Sequence, residues 1–592
     1  MLAPPLPPDT LDHLRRVFGF PGFRGVQSDV VARVLGGLRT LAVMPTGAGK
    51  SLCYQLPAVM SSGTTIVISP LIALMHDQIR SATSAGIRAA ALTSVDENRA
   101  ETLERFRSGE LDLLYVAPER ASGYEFRGLL READIALFAI DEAHCVSEWG
   151  HDFRPDYRML RPLMDDFHDV PRLALTATAD RHTRADILAQ LGIPDDGLIV
   201  AGFDRPNIRY AITPRDGTTR QVADVIAETP GAGIVYVQSR NGTEVLADKL
   251  AKTGRPVRVY HAGLEPEVRR QNQADFVASE DMVMVATIAF GMGIDKPDVR
   301  FVVHAGLPKS IEAYYQETGR AGRDGEPAVA HMFWGADDFA RARQWLGDVD
   351  ESRLPGERAR LNSLGALVET AGCRRAVLLR HFGESPAETC GNCDNCLNPP
   401  NAFDVTELAR KFLSAVYRTG QSFGVGHVEV VLTGKADERA QRLGHDQLSV
   451  FGIVDAEEAA LIKPVARSLL LRDALRTGEH GGLMFGPEAR AILKGDTSVS
   501  LIQTPKRERK RRRDGGSNPV GDPLFEALKA WRRDRAAEAQ VPPYVIFHDS
   551  TLREVAAARP ASLAALSRLP GLGQRKLDAY GDEVLEVVER FC

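Results

Sequence analysis

Few cysteines occur in this chain, seven among 592 residues. That number is too small for a disulfide scaffold in a protein of this length, and an intracellular protein would keep its thiols reduced. Uninterrupted apolar runs long enough to cross a membrane are lacking as well. The first ten residues, MLAPPLPPDT, have neither the basic start nor the apolar centre of a signal peptide. We therefore expect a cytoplasmic protein with no membrane partner.

A large net charge is also lacking. The 73 Lys and Arg residues nearly balance the 79 Asp and Glu residues, which leaves a formal net charge of −6. Any surface for nucleic acid would therefore have to be a local patch on a near-neutral whole. The chain is 44% hydrophobic and 26% charged, as in an ordinary globular protein, and its length predicts about three to five domains.

Two series of short β-branched runs, separated by helical patterns, occupy the first part of the chain. The first series predicts strands at Thr40–Met44, Thr65–Ser69, Leu111–Ala117, Ile135–Asp141 and Leu173–Thr178. The second series starts near Gly233 and consists of GIVYVQ, VRVYHA, MVMVAT and VRFVVHAG. Apolar strands that alternate with helices are typical of a parallel sheet covered on both faces. We therefore expect an α/β fold with two tandem parallel-sheet lobes.

Changes of composition predict the later domain boundaries. A helical stretch from about Ala340 to Phe382 leads into a cysteine cluster, and a Gly-flanked hairpin follows among further helices. The basic run KRERKRRR at 506–513, followed by turn-forming residues, predicts a linker. The expected division is 1–205 and 206–340 for the lobes, 341–401 for the cysteine-containing module, 402–498 for the next domain, 499–522 for the linker and 523–592 for a small all-helical module.

A candidate phosphate-binding loop, LAVMPTGAGKS at 41–51, lies between a predicted strand and a predicted helix. Glycines allow the backbone to approach a polyphosphate, Lys50 can reach the β and γ oxygens, and the Ser51 hydroxyl can ligate Mg²⁺. Met44 stands where the strict motif has glycine, so a plain Gly-rich turn is the alternative. The expected phosphate-contacting residues are Thr46, Gly47, Ala48, Gly49, Lys50 and Ser51.

Candidate catalytic residues occur in two further strings. FAIDEAHC at 138–145 ends a strand with Asp141, which would hold Mg²⁺, and Glu142, which would orient and deprotonate the attacking water. QETGRAGRDG at 316–325 supplies Gln316, Arg320 and Arg323, with the arginines expected on a helical segment of the second lobe. Arginines that reach across a cleft would stabilise transition-state charge only when the lobes close. The alternatives are a helix-capping aspartate and a pair of surface arginines.

Four cysteines, Cys373, Cys390, Cys393 and Cys396, follow the pattern C-x₁₆-C-x₂-C-x₂-C. Four thiolates suit tetrahedral Zn²⁺ with no open position, and hence a structural role. An iron–sulfur cluster and unmetallated thiols remain alternatives, although the Cys-Pro continuation typical of ferredoxins is absent.

The chain also carries the following strings in one order: FGFPGFRGVQ (18–27), MPTGAGKSLCYQLPA, SPLIALMHDQ (69–78), YVAPER, DEAHCVSEWGHDFRPDY (141–157), LTATA, FDRPNI (203–208), YHAGL, ATIAFGMGIDKPDVRFVVH (286–304) and YYQETGRAGRDG. Over residues 11–335 these strings resemble the RecQ family of DNA helicases. Later segments resemble that family's zinc, winged-helix and HRDC modules. The resemblance implies two RecA-like lobes, then a zinc-binding helical module, a winged-helix domain and a small all-α HRDC-like domain.

The resemblance also implies roles for further residues. Phe20 would stack on adenine, while Arg24 and Gln27 would read its edge. Aromatic and basic residues between DEAH and LTATA suit stacking on single-stranded bases. In the RecQ family the matching loop couples DNA binding to ATP hydrolysis. The resemblance therefore implies that Trp149, Phe153 and Arg154 bind DNA. Thr176 and Thr178 would connect the DEAH string to the second lobe. His480 is the candidate wedge at a hairpin tip, and Arg575 and Lys576 are candidate phosphate contacts.

The expected function is that of a 3′→5′ DNA helicase that uses ATP and Mg²⁺, carries Zn²⁺ and acts in DNA recombination and repair near the nucleoid. Expected partners are single-stranded and forked or branched DNA, with single-strand-binding protein and other repair factors as candidates. Alternatives are a duplex translocase without strand separation, an RNA helicase and a catalytically inactive DNA-binding scaffold. Lys50, Asp141, Glu142 and Arg323 argue against the scaffold.

Overall fold

The computed structural model describes residues 4–70, 72–93, 98–147, 153–291, 296–349, 354–435, 437–478, 481–503 and 522–591. The first lobe has a seven-stranded parallel sheet in the order β3-β4-β2-β5-β6-β1-β7. Its strands are β1 (Thr40–Val43), β2 (Thr64–Ile68), β3 (Ala89–Leu92), β4 (Leu113–Val116), β5 (Ile135–Ile140), β6 (Arg172–Thr176) and β7 (Leu198–Val200). Its helices are α1 (Thr10–Phe18), α2 (Gln27–Leu35), α3 (Leu52–Met60), α4 (Ile72–Ser84), α5 (Arg99–Arg107), α6 (Pro118–Ala121), α7 (Tyr124–Leu130), α8 (Pro155–Arg158), α9 (Leu160–Asp165) and α10 (Arg181–Leu191).

The second lobe has a six-stranded parallel sheet in the order β10-β11-β9-β12-β13-β8. Its strands are β8 (Ile208–Pro214), β9 (Ala232–Tyr236), β10 (Val257–Tyr260), β11 (Val283–Ala286), β12 (Val299–His304) and β13 (Ala328–Trp334). Its helices are α11 (Thr218–Glu228), α12 (Arg240–Leu250), α13 (Pro266–Ala278), α14 (Ile311–Thr318) and α15 (Ala336–Trp345). Apolar residues cover both faces of each sheet, as expected for buried parallel strands. The prediction of two tandem α/β lobes is therefore confirmed.

The cysteine-containing module packs on the second lobe and on the segment between the lobes. Its helices are α16 (Leu354–Glu369), α17 (Arg374–His381) and α18 (Asp394–Leu397). Arg375 in α17 donates to the carbonyl of Ile208 at 2.8 Å, and the rings of Phe203 and Phe382 stack 4.6 Å apart. These contacts continue the apolar core of the lobes into the module.

The next domain has its own apolar core. It consists of β14 (Asn401–Asp404), α19 (Thr406–Arg418), α20 (Val425–Thr433), α21 (Glu438–Arg442), α22 (Ala456–Leu471), β15 (Leu475–Thr477), β16 (Leu483–Phe485), α23 (Ala489–Lys494) and β17 (Ser500–Gln503). Strand β17 pairs antiparallel with β14, and β15 with β16. The expected end at 498 is therefore too early, because the closing strand runs to Gln503. Most of the expected linker, 504–521, lies outside the described residues.

The C-terminal module is all helical, as predicted. It comprises α24 (Pro523–Glu538), α25 (Pro543–Ile546), α26 (Asp549–Ala558), α27 (Leu563–Leu566) and α28 (Gln574–Glu589). Its apolar residues form a separate core that includes Leu528, Leu552 and Val584. A core of its own makes this module an independent packing unit, which docks on the lobes through polar contacts described below.

Candidate active site

The phosphate loop follows β1, which lies between β6 and β7 in the first sheet. Gly47 and Gly49 adopt left-handed φ values of 83° and 73°, which side chains with a Cβ rarely adopt. A Cβ on Gly49 would also lie 2.6 Å from Nε2 of Gln27, so this position requires glycine. Lys50 Nζ donates to the carbonyl of Met44 at 3.4 Å, and Ser51 immediately precedes α3. The loop therefore presents backbone N–H groups and a lysine at a helix N-terminus, as polyphosphate binding requires.

The segment expected to contact adenine is attached directly to this loop. Gln27 is buried, and its Nε2 donates to the carbonyl of Ala48 at 2.9 Å. Its Oε1 accepts from the backbone N–H of Arg24 at 2.8 Å, while the Arg24 side chain is exposed. Phe20 stacks parallel to Phe18 with ring centroids 6.4 Å apart. Because Gln27 bonds to Ala48, the segment that carries Phe20, Arg24 and Gln27 is joined directly to the phosphate loop.

Two carboxylates stand beyond the end of β5. Asp141 Oδ2 accepts from Gln78 Nε2 at 3.2 Å, and Asp141 Oδ1 accepts from the N–H of Glu142 at 2.9 Å. Burial, reinforced by the charge of Glu142, raises the pKa of Asp141 to about 6. A bound cation would favour the charged carboxylate and oppose this shift. The burial of Asp141 thus makes it a residue whose charged form a cation would stabilise.

The backbone of Glu142 is in the left-handed region, with φ 49° and ψ 46°. Such a conformation costs a non-glycine residue about 1–3 kcal/mol and occurs mainly where the surrounding structure holds it. His144 supports this turn: its Nδ1 lies 3.3 Å from Glu142 Oε2 and 3.0 Å from Thr176 Oγ1. Thr176 Oγ1 in turn bonds to the backbone of Thr178. Thr176, one of the two threonines predicted to connect the DEAH string to the second lobe, therefore contacts that string at His144, and Thr178 is joined to it through Thr176.

Of the two predicted arginines of the second lobe, Arg323 lies against the phosphate loop. Helix α14 ends at Thr318, so Arg320 and Arg323 occupy the turns that follow it and not a helical segment. Gly319 caps the helix, and Gly322, between the two arginines, takes a positive φ of 53°, which is incompatible with helical geometry. Arg323 approaches Gly47 of the phosphate loop so closely that a Cβ atom added to Gly47 would lie 3.4 Å from the Arg323 Cγ atom. Gln316 and Arg320 are buried beside this turn.

Several residues of this site, among them Gln78, His144 and Arg205, had no role assigned from sequence. Arg205, in the string FDRPNI, donates to the carbonyl of Thr46 in the phosphate loop at 2.7 Å. The same guanidinium donates to the carbonyls of Gly319, Ala321 and Gly322 at 3.1, 2.9 and 2.9 Å. The string itself was the only signal, because backbone acceptors leave no trace in a sequence.

The four cysteines form the cluster that their spacing predicted. Their sulfur atoms all lie within 4.8 Å of one another, with 3.9 Å between Cys390 and Cys396 and 3.9 Å between Cys373 and Cys393. A tetrahedron with Zn–S bonds of about 2.3 Å has sulfur–sulfur edges of about 3.8 Å. Backbone N–H groups of Ala376 and Asn392 donate to the sulfurs of Cys373 and Cys390. The geometry fits a four-thiolate metal site.

Family models match almost the whole chain: DEAD/DEAH box helicase at 24–187, helicase conserved C-terminal domain at 218–325, RecQ zinc-binding at 336–397, RQC domain at 399–510 and HRDC domain at 522–588. The ATP-dependent DNA helicase RecQ of Haemophilus influenzae is 40% identical over 98% of this chain and 96% of its own length. The chain belongs to the RecQ family. Proteins of the same name from Pasteurella multocida and Bacillus subtilis are 39% and 36% identical over 99% and 98% of the chain, and over 94% and 98% of their own lengths.

Membership of the RecQ family confirms several predictions together. The chain is an ATP-dependent DNA helicase, with two RecA-like lobes followed by zinc-binding, RQC (winged-helix) and HRDC domains. A role in DNA recombination and repair is consistent with the RecQ relatives. Within the described ranges, no helix combines the length and the apolar character that crossing a membrane requires.

The loop expected to couple DNA to hydrolysis in this RecQ protein is only partly described. Trp149 falls in 148–152, outside the described residues. Arg154 donates to the carbonyl of Pro70 at 2.9 Å, and the Arg158 guanidinium lies 5.2 Å from the centre of the Phe153 ring. Arg154 thus links this loop to the end of β2. His480, predicted at the tip of the hairpin between β15 and β16, lies outside the described residues.

The HRDC module docks on both lobes of the motor. On the first lobe, Arg575 Nη1 donates to the carbonyl of Thr83 at 3.0 Å, and the backbone of Gly573 lies against Gly19. On the second lobe, Arg532 Nη2 donates to Glu280 Oε1 at 2.8 Å, and Arg553 pairs with Glu326. Arg575, predicted to contact phosphate, is therefore engaged with protein in this arrangement.

Lys576, the second predicted phosphate contact of the module, is directed into its own domain. Its ammonium lies 5.6 Å from the centre of the Phe547 ring. Burial lowers the pKa of Lys576 to about 8. An ammonium held over an aromatic ring in this way stabilises the module's packing.

Proposed function

We propose that this RecQ protein is a 3′→5′ helicase that couples Mg-ATP hydrolysis to translocation on single-stranded DNA and to unwinding of forked duplexes. One observation carries the hydrolytic part: Arg323 of the second lobe lies against Gly47 in the phosphate loop of the first. A nucleotide in that loop would therefore face basic residues from both lobes. Such an arrangement links the hydrolysis step to the relative position of the lobes. The direction of movement is carried over from the family resemblance alone.

Within this site we propose the following roles. Lys50 and the backbone of Thr46–Ser51 hold the phosphates, and Ser51 and Asp141 hold Mg²⁺. Glu142 activates water, while Gln316, Arg320 and Arg323 stabilise the transferred phosphoryl group. Phe20, Arg24 and Gln27 bind the adenine. The buried carboxylate of Asp141 and the exposed guanidinium of Arg24 suit these roles.

For DNA we propose contacts at Trp149, Phe153 and Arg154 in the coupling loop and at His480 in the hairpin. The HRDC module would add Arg575 when it leaves the lobes, and Lys576 would join it by turning its ammonium away from the Phe547 ring. We also propose that the protein acts in the cytoplasm at the nucleoid, with single-strand-binding protein and other repair factors as partners. The proposed division of the chain keeps the lobes at 1–205 and 206–340 and the zinc module at 341–401, and extends the winged-helix domain to 503 because β17 completes it.

The decisive experiment measures ATP hydrolysis and strand separation by the full chain with single-stranded DNA, forked DNA, four-way DNA and RNA of matched sequence. We expect hydrolysis stimulated by single-stranded DNA, and unwinding of forks with a 3′ tail. Stimulation by RNA alone would favour an RNA helicase. Movement along DNA without strand separation would favour a translocase, and absence of hydrolysis on every substrate would contradict the proposal.

We propose that the four cysteines bind Zn²⁺ in a structural site, since no position of the cluster is left open for a substrate. Metal binding contributes folding free energy on the order of 10 kcal/mol at comparable sites. Cys393→Ser is therefore expected to lower the unfolding temperature and the soluble yield before any change in ATP affinity. Elemental analysis should give close to one zinc per chain. Iron with visible absorbance would contradict zinc.

Removal of the HRDC module is expected to weaken DNA binding without stopping the motor. A second DNA-binding module tethered to the motor raises the effective concentration of DNA-binding groups near the bound DNA. Its Lys and Arg side chains also release counterions from the DNA phosphates that they contact. A protein that ends after Gln503 retains β17, whereas an end at 500 would remove most of that strand. We expect near-normal maximal ATPase, some fork unwinding, lower affinity and a shallower dependence of log affinity on log salt.

A second protein ending near residue 520 retains the basic run and separates its contribution from that of the module. Unchanged affinity and salt slope after removal of the module would contradict this prediction. Loss of ATPase from a folded truncated protein would contradict it as well.

A further inference from the structure

Arg205 lies between the two lobes, on the segment that connects β7 to β8. One Nη donates to the carbonyls of Thr46 and Gly319, and the other to those of Ala321 and Gly322. The first of these acceptors belongs to the phosphate loop. The other three belong to the turn that carries Arg320 and Arg323. We propose that Arg205 is a positioning residue that holds the arginine-bearing turn of the second lobe in register with the phosphate loop of the first.

The chemistry of the side chain suits this role. A guanidinium presents five N–H donors in a planar fork, so one side chain can satisfy acceptors from two separate segments. A lysine ammonium is a point donor on a flexible stem and cannot reproduce that geometry. The consequence for hydrolysis is positional, because Arg205 bonds to backbone carbonyls of the phosphate loop and of the turn that carries the two arginines.

The backbone segment from which the Arg205 side chain extends is held in place by contacts of the two preceding residues. The N–H of Phe203 donates to Glu384 in the cysteine-containing module, and the carbonyl of Phe203 accepts from the Tyr315 hydroxyl at 2.7 Å. Asp204 pairs with Arg375 of the same module at 3.4 Å. The segment that carries Arg205 is therefore anchored outside both nucleotide-facing loops. Because its backbone is held in place, the Arg205 guanidinium can fix the position of one loop relative to the other.

Asn207 provides a matched comparison on the same segment. Its Nδ2 donates to the carbonyls of Gly322 and Glu326, both at 2.8 Å. These bonds order the arginine-bearing turn from within the second lobe and do not cross to the phosphate loop. If ordering of the turn were the whole role of the segment, substitutions at Asn207 and Arg205 would have equal effects. If the bond across the lobes matters, the Arg205 substitution has the larger effect.

The test measures kcat and KM for ATP of the full chain with saturating single-stranded DNA, together with nucleotide affinity and unfolding temperature. The variants are Arg205→Gln, Arg205→Lys, Asn207→Ala and, as a control, Arg220→Gln, whose side chain is 69% exposed. Because small misplacements of catalytic groups cost up to about a hundredfold, we expect Arg205→Gln to lower kcat between about tenfold and a hundredfold. KM, nucleotide affinity and unfolding temperature should stay near the wild-type values.

We expect Arg205→Lys to retain an intermediate kcat, Asn207→Ala to lose less than Arg205→Gln, and Arg220→Gln to match the wild type. In an Arg323→Ala background, Arg205→Gln should cause little further loss, because its effect passes through that turn. Three results would overturn the inference: a wild-type kcat in Arg205→Gln, fully additive losses with Arg323→Ala, or a loss explained by a lowered unfolding temperature.

The inference rests on the proposed function, and the same experiment separates the two. A wild-type protein that fails to hydrolyse ATP with DNA contradicts the proposed function. An active wild-type protein with an equally active Arg205→Gln variant contradicts this inference alone.

Discussion

A Lys50→Ala protein is expected to lose ATP hydrolysis by on the order of 10³-fold and DNA unwinding with it, because a preorganised charge on the phosphates is removed. Lys50 lies in the phosphate loop, where its Nζ bonds to the carbonyl of Met44 at 3.4 Å. None of the proposed DNA-binding residues is in that loop, so single-stranded DNA binding should remain close to the wild-type level. Steady-state ATPase, fork unwinding and DNA affinity measured on one preparation check all three expectations.

The control is Lys252→Ala, which removes an exposed lysine of the second lobe. It should leave hydrolysis and unwinding unchanged. Normal turnover by Lys50→Ala would show that this loop does not hold the phosphates. A parallel loss of DNA binding would show that the loop also contributes to the DNA surface.

The second large effect is expected for Glu142→Gln. Glutamine has nearly the same size and can orient a water, but it cannot accept the proton. Loss of general-base catalysis typically costs ~10²–10⁴-fold. The variant should therefore bind ATP with near wild-type affinity and release phosphate very slowly. Single-turnover hydrolysis measures the chemical step, and equilibrium binding of a fluorescent ATP analogue measures affinity.

Glu142→Gln also preserves the left-handed backbone, which costs glutamine about as much as glutamate. A loss of turnover would therefore not reflect relief of strain at φ 49°. Glu125→Gln, at an exposed position on α7, is the control and should be fully active. Hydrolysis at the wild-type rate by Glu142→Gln would remove this residue from the role of general base.

The strands predicted most accurately from the sequence are those with a clear pattern in a contiguous stretch of the chain. The strands β1, β2, β4, β5 and β6 were expected within a few residues of their observed bounds. Strands β3, β7, β8, β13, β14 and β17 were not predicted. β3 consists of three alanines and a leucine, and β7 has three residues, so neither carries a clear β-branched pattern. Their strand form depends on pairing with neighbours in the sheet.

The sequence by itself determined the chemical class of the protein. A phosphate loop, adjacent carboxylates and an arginine-rich turn each place the required groups within a few residues, where covalent connection alone keeps them close, and the four cysteines are recognised by their spacing over 373–396. The tertiary structure decided how these groups are joined. Arg205 and Thr46 are 159 residues apart, and Arg575 and Thr83 are 492 apart. The acceptors in both cases are backbone carbonyls, which every residue possesses, so no pattern of side chains can reveal them and only the folded chain brings them together.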